Sequence, residues 1–92
     1  MQQLVYDILA YLAEHPDAQD TIEGIIEWWL SGRAAKPNVA LVEETLTELV
    51  DLGLVLTRRS KDARAYYKVN RQKLTEISAM LARHEGADAP EN

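Results

Sequence analysis

"VEETLTELVDLGLVLTRRSKDARAYYKV", residues 42–69, changes its hydrophobic period part-way along. Up to Gly53 the apolar residues Val42, Leu46, Leu49 and Val50 recur at the three- and four-residue spacing of one helical face. Beyond it the pattern alternates, with Ala65, Tyr67 and Val69 on one side and Arg64, Tyr66 and Lys68 on the other. A helix running into a β-hairpin is predicted. "LGLVLTRRS" and "ARAYYKVN" are its strands and "SKDA", residues 60–63, its turn. Asn38 suits the helix cap, Val39 would extend the buried stripe, and Gly53 suits the helix end.

Toward the N-terminus, Leu4, Val5, Ile8, Leu9 and Leu12 mark a first helix, stopped by Pro16 just after His15. Asp20 and Glu23 resemble a capping box that opens a second helix. Its apolar face is Ile22, Ile25, Ile26 and Trp29, its end Gly32, and "RAAKP", residues 33–37, leads on to the third helix. Toward the C-terminus a last helix follows Asn70, with Leu74, Ile77, Leu81 and His84 on one stripe, Met80 on its flank and Gly86 at its end. The expected architecture is mainly α with a β-hairpin: three helices, the hairpin and a closing helix. One domain over residues 1–85 and a disordered acidic tail over 86–92 complete this reading.

A chain of 92 residues has room for a single core. With 47% hydrophobic and 27% charged residues it has the composition of a globular domain. No cysteine is present, which removes disulfides and thiolate metal sites. The start "MQQLVYD" lacks a basic n-region and no apolar run approaches a membrane span, so a cytoplasmic protein is expected. Charge is unevenly distributed. Residues 1–57 carry two cations against ten anions, whereas residues 58–73 carry seven cations against Asp62 alone. A net charge of −5 disfavours indiscriminate polyanion binding, but the basic stretch leaves room for a local anion contact.

The adjacent tryptophans of "TIEGIIEWWL", residues 21–30, point about 100° apart on a helix, so they cannot share one environment. Trp29 falls within the isoleucine stripe and is expected in the core. Trp28 falls on a flank beside Thr21 and Gly24, either packed against a neighbouring element or serving as an interface anchor. Gly24 would leave a gap beside that ring for a partner to approach.

The order of elements resembles a winged helix-turn-helix domain, over roughly residues 3–84. Val42, Leu46, Leu49 and Gly53 fall where such domains carry V, L, L and G before the wing, and "LTRRSKDARAYYKV" is similar to the wing of small bacterial repressors of the arsenic-repressor and multiple-antibiotic-resistance-repressor kinds. The resemblance implies a DNA-binding transcription regulator, usually dimeric, with its third helix in the major groove and its wing on the backbone or minor groove. Carried over by position, helix 3 offers Asn38, Ala40, Leu41, Glu44, Thr47 and Glu48, and the wing offers Arg58, Arg59, Lys61 and Arg64. Helix 3 departs from the pattern, having no lysine or arginine while Glu43, Glu44, Glu48 and Asp51 would approach the polyanion. Expected DNA contacts therefore narrow to the four wing cations, with Asn38, Ala40 and Thr47 the least repelled part of helix 3.

Because terminal helices pair across a two-fold axis in the resembled repressors, Leu74, Ile77, Met80 and Leu81 are expected at a homodimer seam that Tyr6 and Tyr11 could extend. Docking of that stripe on helix 1 is the other reading, and both can hold together. Pairing of the basic wing with acidic helix 3 of a second subunit is a further option. No catalytic function, cofactor or metal is expected, since His15 and His84 lack spaced ligand partners and no phosphate loop or nucleophile elbow is present. The competing function is a protein-interaction module that uses acidic helix 3 and Trp28.

Overall fold

The computed structural model describes residues 3–30 and 37–88, with side chains to residue 84. It is mainly helical, with a small three-stranded antiparallel sheet. Helix α1, Gln3–Glu14, turns Leu4, Val5, Ile8, Leu9 and Leu12 inward, and all five are buried. Pro16 follows two residues beyond its end, where a ring without an amide hydrogen ends helical bonding.

Strand β1, Gln19–Asp20, was not expected from the sequence. It lies along β3, Ala65–Val69, with Gln19 opposite Lys68 and Asp20 opposite Tyr67. On the other side of β3 lies β2, Val55–Arg59, so the strand order is β1-β3-β2. The β2–β3 register sets Val55 opposite Val69, Leu56 opposite Lys68, Thr57 opposite Tyr67, Arg58 opposite Tyr66 and Arg59 opposite Ala65. Directly opposed residues share a face. The inner face therefore carries buried Val55, Tyr67 and Val69, and the outer face carries Leu56, Arg58, Tyr66, Lys68 and Gln19.

The second helical segment begins as α2, Ile22–Gly24, and continues at once as a π-turn over Ile25–Trp29, where the Leu30 amide donates to the Ile25 carbonyl at 3.1 Å. Its cap lies one residue later than the predicted Asp20–Glu23 box. Thr21 is the N-cap, its hydroxyl accepting from the Gly24 amide, while the Asp20 carboxylate accepts from the Thr21 amide at 2.9 Å. Pairing of Asp20 with Tyr67 holds that residue in the sheet, so the helix starts beyond it. The predicted helix end at Gly32 and most of the "RAAKP" connection lie outside the described residues.

Helix α3, Val39–Asp51, buries Val42, Leu46 and Leu49 together with Thr45, whose hydroxyl donates to the Leu41 carbonyl at 2.8 Å. Val39 does not join the stripe: it is 57% exposed, because the first turn of α3, with exposed Asn38 and Ala40, overhangs the core. The helix ends at Gly53, where φ is +79°, a conformation that side chains disfavour, and the Leu54 amide returns to the Leu49 carbonyl at 3.1 Å. Asn70, at the end of β3, donates from its side-chain amide to the Gly53 carbonyl at 2.8 Å and from its backbone to the Leu54 carbonyl at 2.9 Å. These bonds clamp the α3–β2 junction to the base of β3. The Asn70 side chain also accepts from the Gln72 amide, opening a 3-10 turn, Arg71–Lys73, that leads into α4, Leu74–Asp88. The helix passes the predicted end at Gly86 by two residues, so that glycine is not its stop and 86–88 belong to the helix. A glycine inside a helix costs about 1 kcal/mol, which need not break it. The remainder of the expected tail, 89–92, lies outside the described residues.

Candidate functional site

The β2–β3 hairpin carries the predicted cations, with Arg58 on its outer face and Lys61 in its turn, and the turn engages two of the others. The Ser60 amide donates to the Arg64 carbonyl at 2.9 Å and the Ala63 amide to the Ser60 carbonyl at 3.0 Å, with Ala63 at φ +68°. Asp62 sits at the centre of this turn. Its carboxylate accepts from the Ser60 hydroxyl and, at 3.1 Å, from the Arg64 amide. These bonds, the Ser60 hydroxyl foremost, hold the Asp62 carboxyl below its ordinary pKa, and the Arg64 guanidinium at 3.8 Å adds to the effect. Arg59 is held to the same turn by a 3.0 Å bond to the Ala63 carbonyl.

Of the four wing cations expected to meet an anion, Arg59 and Arg64 thus brace the turn. Arg58 and Lys61 are exposed and make no side-chain hydrogen bond or ion pair among the described residues. Lys68 has the same character and shares the outer face with Arg58, diagonally across from it. Alternation along "ARAYYKV" already placed Lys68 on that face, although position-by-position carry-over from the wing passed over it. Leu56, 42% exposed, and half-buried Tyr66 complete the face.

On α3 the residues expected to approach a ligand are occupied locally. The Asn38 side chain accepts from the Ala40 and Leu41 amides at 2.7 and 3.2 Å, and the Thr47 hydroxyl donates to the Glu43 carbonyl at 2.9 Å. Ala40 is exposed and has no polar side-chain group to offer. Glu44, Glu48 and Asp51, spaced at four and three residues, form an exposed acidic stripe with Glu43 alongside.

Trp29 is 6% exposed, stacked on Tyr11 with ring centroids 5.1 Å apart, whereas Trp28 is 65% exposed. The wide π-turn puts Ile25, Trp29 and Leu30 inward and Glu27 and Trp28 outward. The expected gap at Gly24 is absent, because a Cβ there would collide with the Asp20 carboxylate. Ile77 is fully buried in its own chain, and Leu74, Met80 and Leu81 pack half-buried against the same core, so the stripe of α4 docks on α1. Tyr6 stacks on His84 at 3.7 Å with rings 5° from parallel, and His84 meets Gln3 at 3.0 Å. Tyr11 also lies against His15, with ring centroids 4.5 Å apart and the rings tilted by 37°.

Among the described residues no group of histidines and carboxylates could hold a metal ion, and no helix is long and apolar enough to cross a membrane. A cleft of about 380 Å³ lies beside the hairpin, lined by Thr21, Ile22, Glu23, Arg64 and Ala65. Its acidic and basic side chains are exposed, so the site offers an open surface rather than a chamber. Comparison with protein-family models, with curated proteins and with solved structures gives no match.

Proposed function

We propose that this chain is a winged-helix DNA-binding domain, a cytoplasmic transcription regulator whose hairpin is the wing and leads the contact. One observation carries the reading: Arg58, Lys61 and Lys68 are exposed on the hairpin without a counter-ion among the described residues. The order of helices, the three-stranded sheet and the hairpin after α3 support the same architecture. Cations on a β-ribbon neutralise phosphates, and a narrow ribbon can follow a backbone or enter a minor groove. The acidic stripe of α3 is repelled by the same phosphates, which keeps that helix out of the lead role.

Fluorescence anisotropy with a labelled duplex is the test. Binding at low salt should weaken as salt rises, with a log–log slope of about −3 if Arg58, Lys61 and Lys68 each displace one counterion. Arg58→Glu with Lys61→Glu should abolish it. Absence of binding by the wild-type chain at low salt overturns the reading. A second reading, the protein-interaction module, is favoured by the exposure of the Trp28 ring and of the α3 carboxylates.

A further inference from the structure

We infer that the outer face of the β2–β3 hairpin receives the acidic α3 stripe of a second copy of this chain. Elsewhere on the molecule opposite charges pair at home: Arg71 with Asp17 at 2.5 Å, Lys73 with Glu76 at 3.6 Å and Arg64 with Asp62 at 3.8 Å. The two largest charged sets do not. Glu43, Glu44, Glu48 and Asp51 on α3 form no ion pair among the described residues, and neither do Arg58, Lys61 and Lys68 on the hairpin. They lie on elements that touch each other, yet Arg58 and Lys68 are on the side of the sheet opposite the core, with Lys61 in the turn beyond.

The spacings agree. Glu44 and Glu48 are one turn apart, about 6 Å along the helix axis. Arg58 and Lys68, diagonal on the outer face, are separated by about 7–8 Å, so two carboxylates can meet two cations at once. Each charged set ends beside an exposed leucine: Leu52, 47% exposed, follows Asp51, and Leu56, 42% exposed, is opposite Lys68. Seating the stripe on the face would cover both apolar side chains as well as the charges. Every copy carries both halves of the contact, so two copies can exchange them around a two-fold axis and close the assembly. The seam then lies at α3 and the hairpin, whereas Ile77 at the centre of the α4 stripe is buried in its own chain. This association does not depend on DNA binding, but it covers Arg58 and Lys68, so a duplex and a second copy compete for the hairpin.

Sedimentation equilibrium of the purified chain without DNA tests the contact. A dimer is expected at low ionic strength, with a dissociation constant that rises more than about tenfold between about 0.05 and 0.5 M NaCl. Glu44→Lys with Glu48→Lys, and separately Arg58→Glu with Lys61→Glu, should each give a folded monomer by circular dichroism. An equimolar mixture of the two variants restores both complementary contacts and should dimerise. A monomeric wild-type chain at low salt, a dimer indifferent to salt, or a mixture that stays monomeric overturns the inference. Anisotropy separates it from the DNA reading, because the α3 variant should still bind duplex and the hairpin variant should not.

Discussion

Helix α3 and the β2–β3 hairpin meet the interior in the same way and the surroundings in opposite ways. Inward, α3 offers Val42, Leu46 and Leu49 and the hairpin offers Val55, Tyr67 and Val69, all within one core. Outward, the helix presents carboxylates and the hairpin presents cations. The secondary structure fixes how each charge set is displayed. On the helix the set is a stripe of one turn's spacing that the backbone leaves alone. On the hairpin the strands bring Arg58 and Lys68 to one face, while the turn takes up Arg59 and Arg64 for its own bonds. Turn geometry therefore fixes where the Arg59 and Arg64 guanidinium groups sit, while Arg58 and Lys68 keep their donors unengaged among the described residues.

The largest effects should come from the interior that the two elements share. Leu46→Ala, in a fully buried position on α3, is expected to cost about 2–5 kcal/mol in urea unfolding. Val55→Ala on β2 should cost about 1.5–3 kcal/mol, and both variants should unfold in a single transition. The exposed counterparts Glu48→Gln and Arg58→Gln should stay within about 0.5 kcal/mol of wild type. A hairpin that melts separately from α3 in Val55→Ala would break the comparison, since the two would then not share one core.

A smaller effect is expected at the junction between the two elements. Gly53 has a left-handed backbone, and no atom lies within 4 Å of where a Cβ would stand. Gly53→Ala should therefore report conformation alone, costing about 1–2 kcal/mol by thermal unfolding. Gly53→Asn should recover part of that loss, because asparagine tolerates this region better. Equal losses in both variants would show that contact, not backbone conformation, sets the requirement.

Much of this fold is legible in the sequence because its signals are local. The stripe Leu4 to Leu12, the cap at Asn38, the stop at Gly53 and the alternation from Ala65 to Val69 each act within a few residues. Strand β1 is different. Two residues carry no period of their own, and they become a strand only by pairing with Lys68 and Tyr67 nearly fifty positions away. The π-turn gives no hydrophobic signature either, so the outward swing of Trp28 exceeds what an α-helical wheel predicts. Gly24 reads as open space in one dimension and is a close approach to Asp20 in three. In the candidate site, the number of cations was legible and their availability was not, because the bonds of Arg59 and Arg64 follow from the left-handed Ala63 and the buttressing Asp62.

The least perturbing way to sharpen the contrast is to titrate Asp62, the one anion inside the basic stretch. Its folded-state pKa is depressed below the ordinary 3.8 by bonds from Ser60 and the Arg64 amide. A depressed carboxylate contributes stability that is present above the unfolded pKa and lost as pH falls through the folded one. The window thus opens near 3.8 and extends below it. The group is exposed, so the effect on global unfolding should be slight and the local effect is the one to follow. The backbone amide shift of Arg64, tracked by NMR as acid is added, should move with a midpoint under 3.8 in the wild type and lose that transition in Asp62→Asn. A wild-type midpoint at or above the ordinary value would mean that Asp62 does not brace the turn, and Arg59 and Arg64 would then join Arg58 and Lys61 as cations open to a ligand.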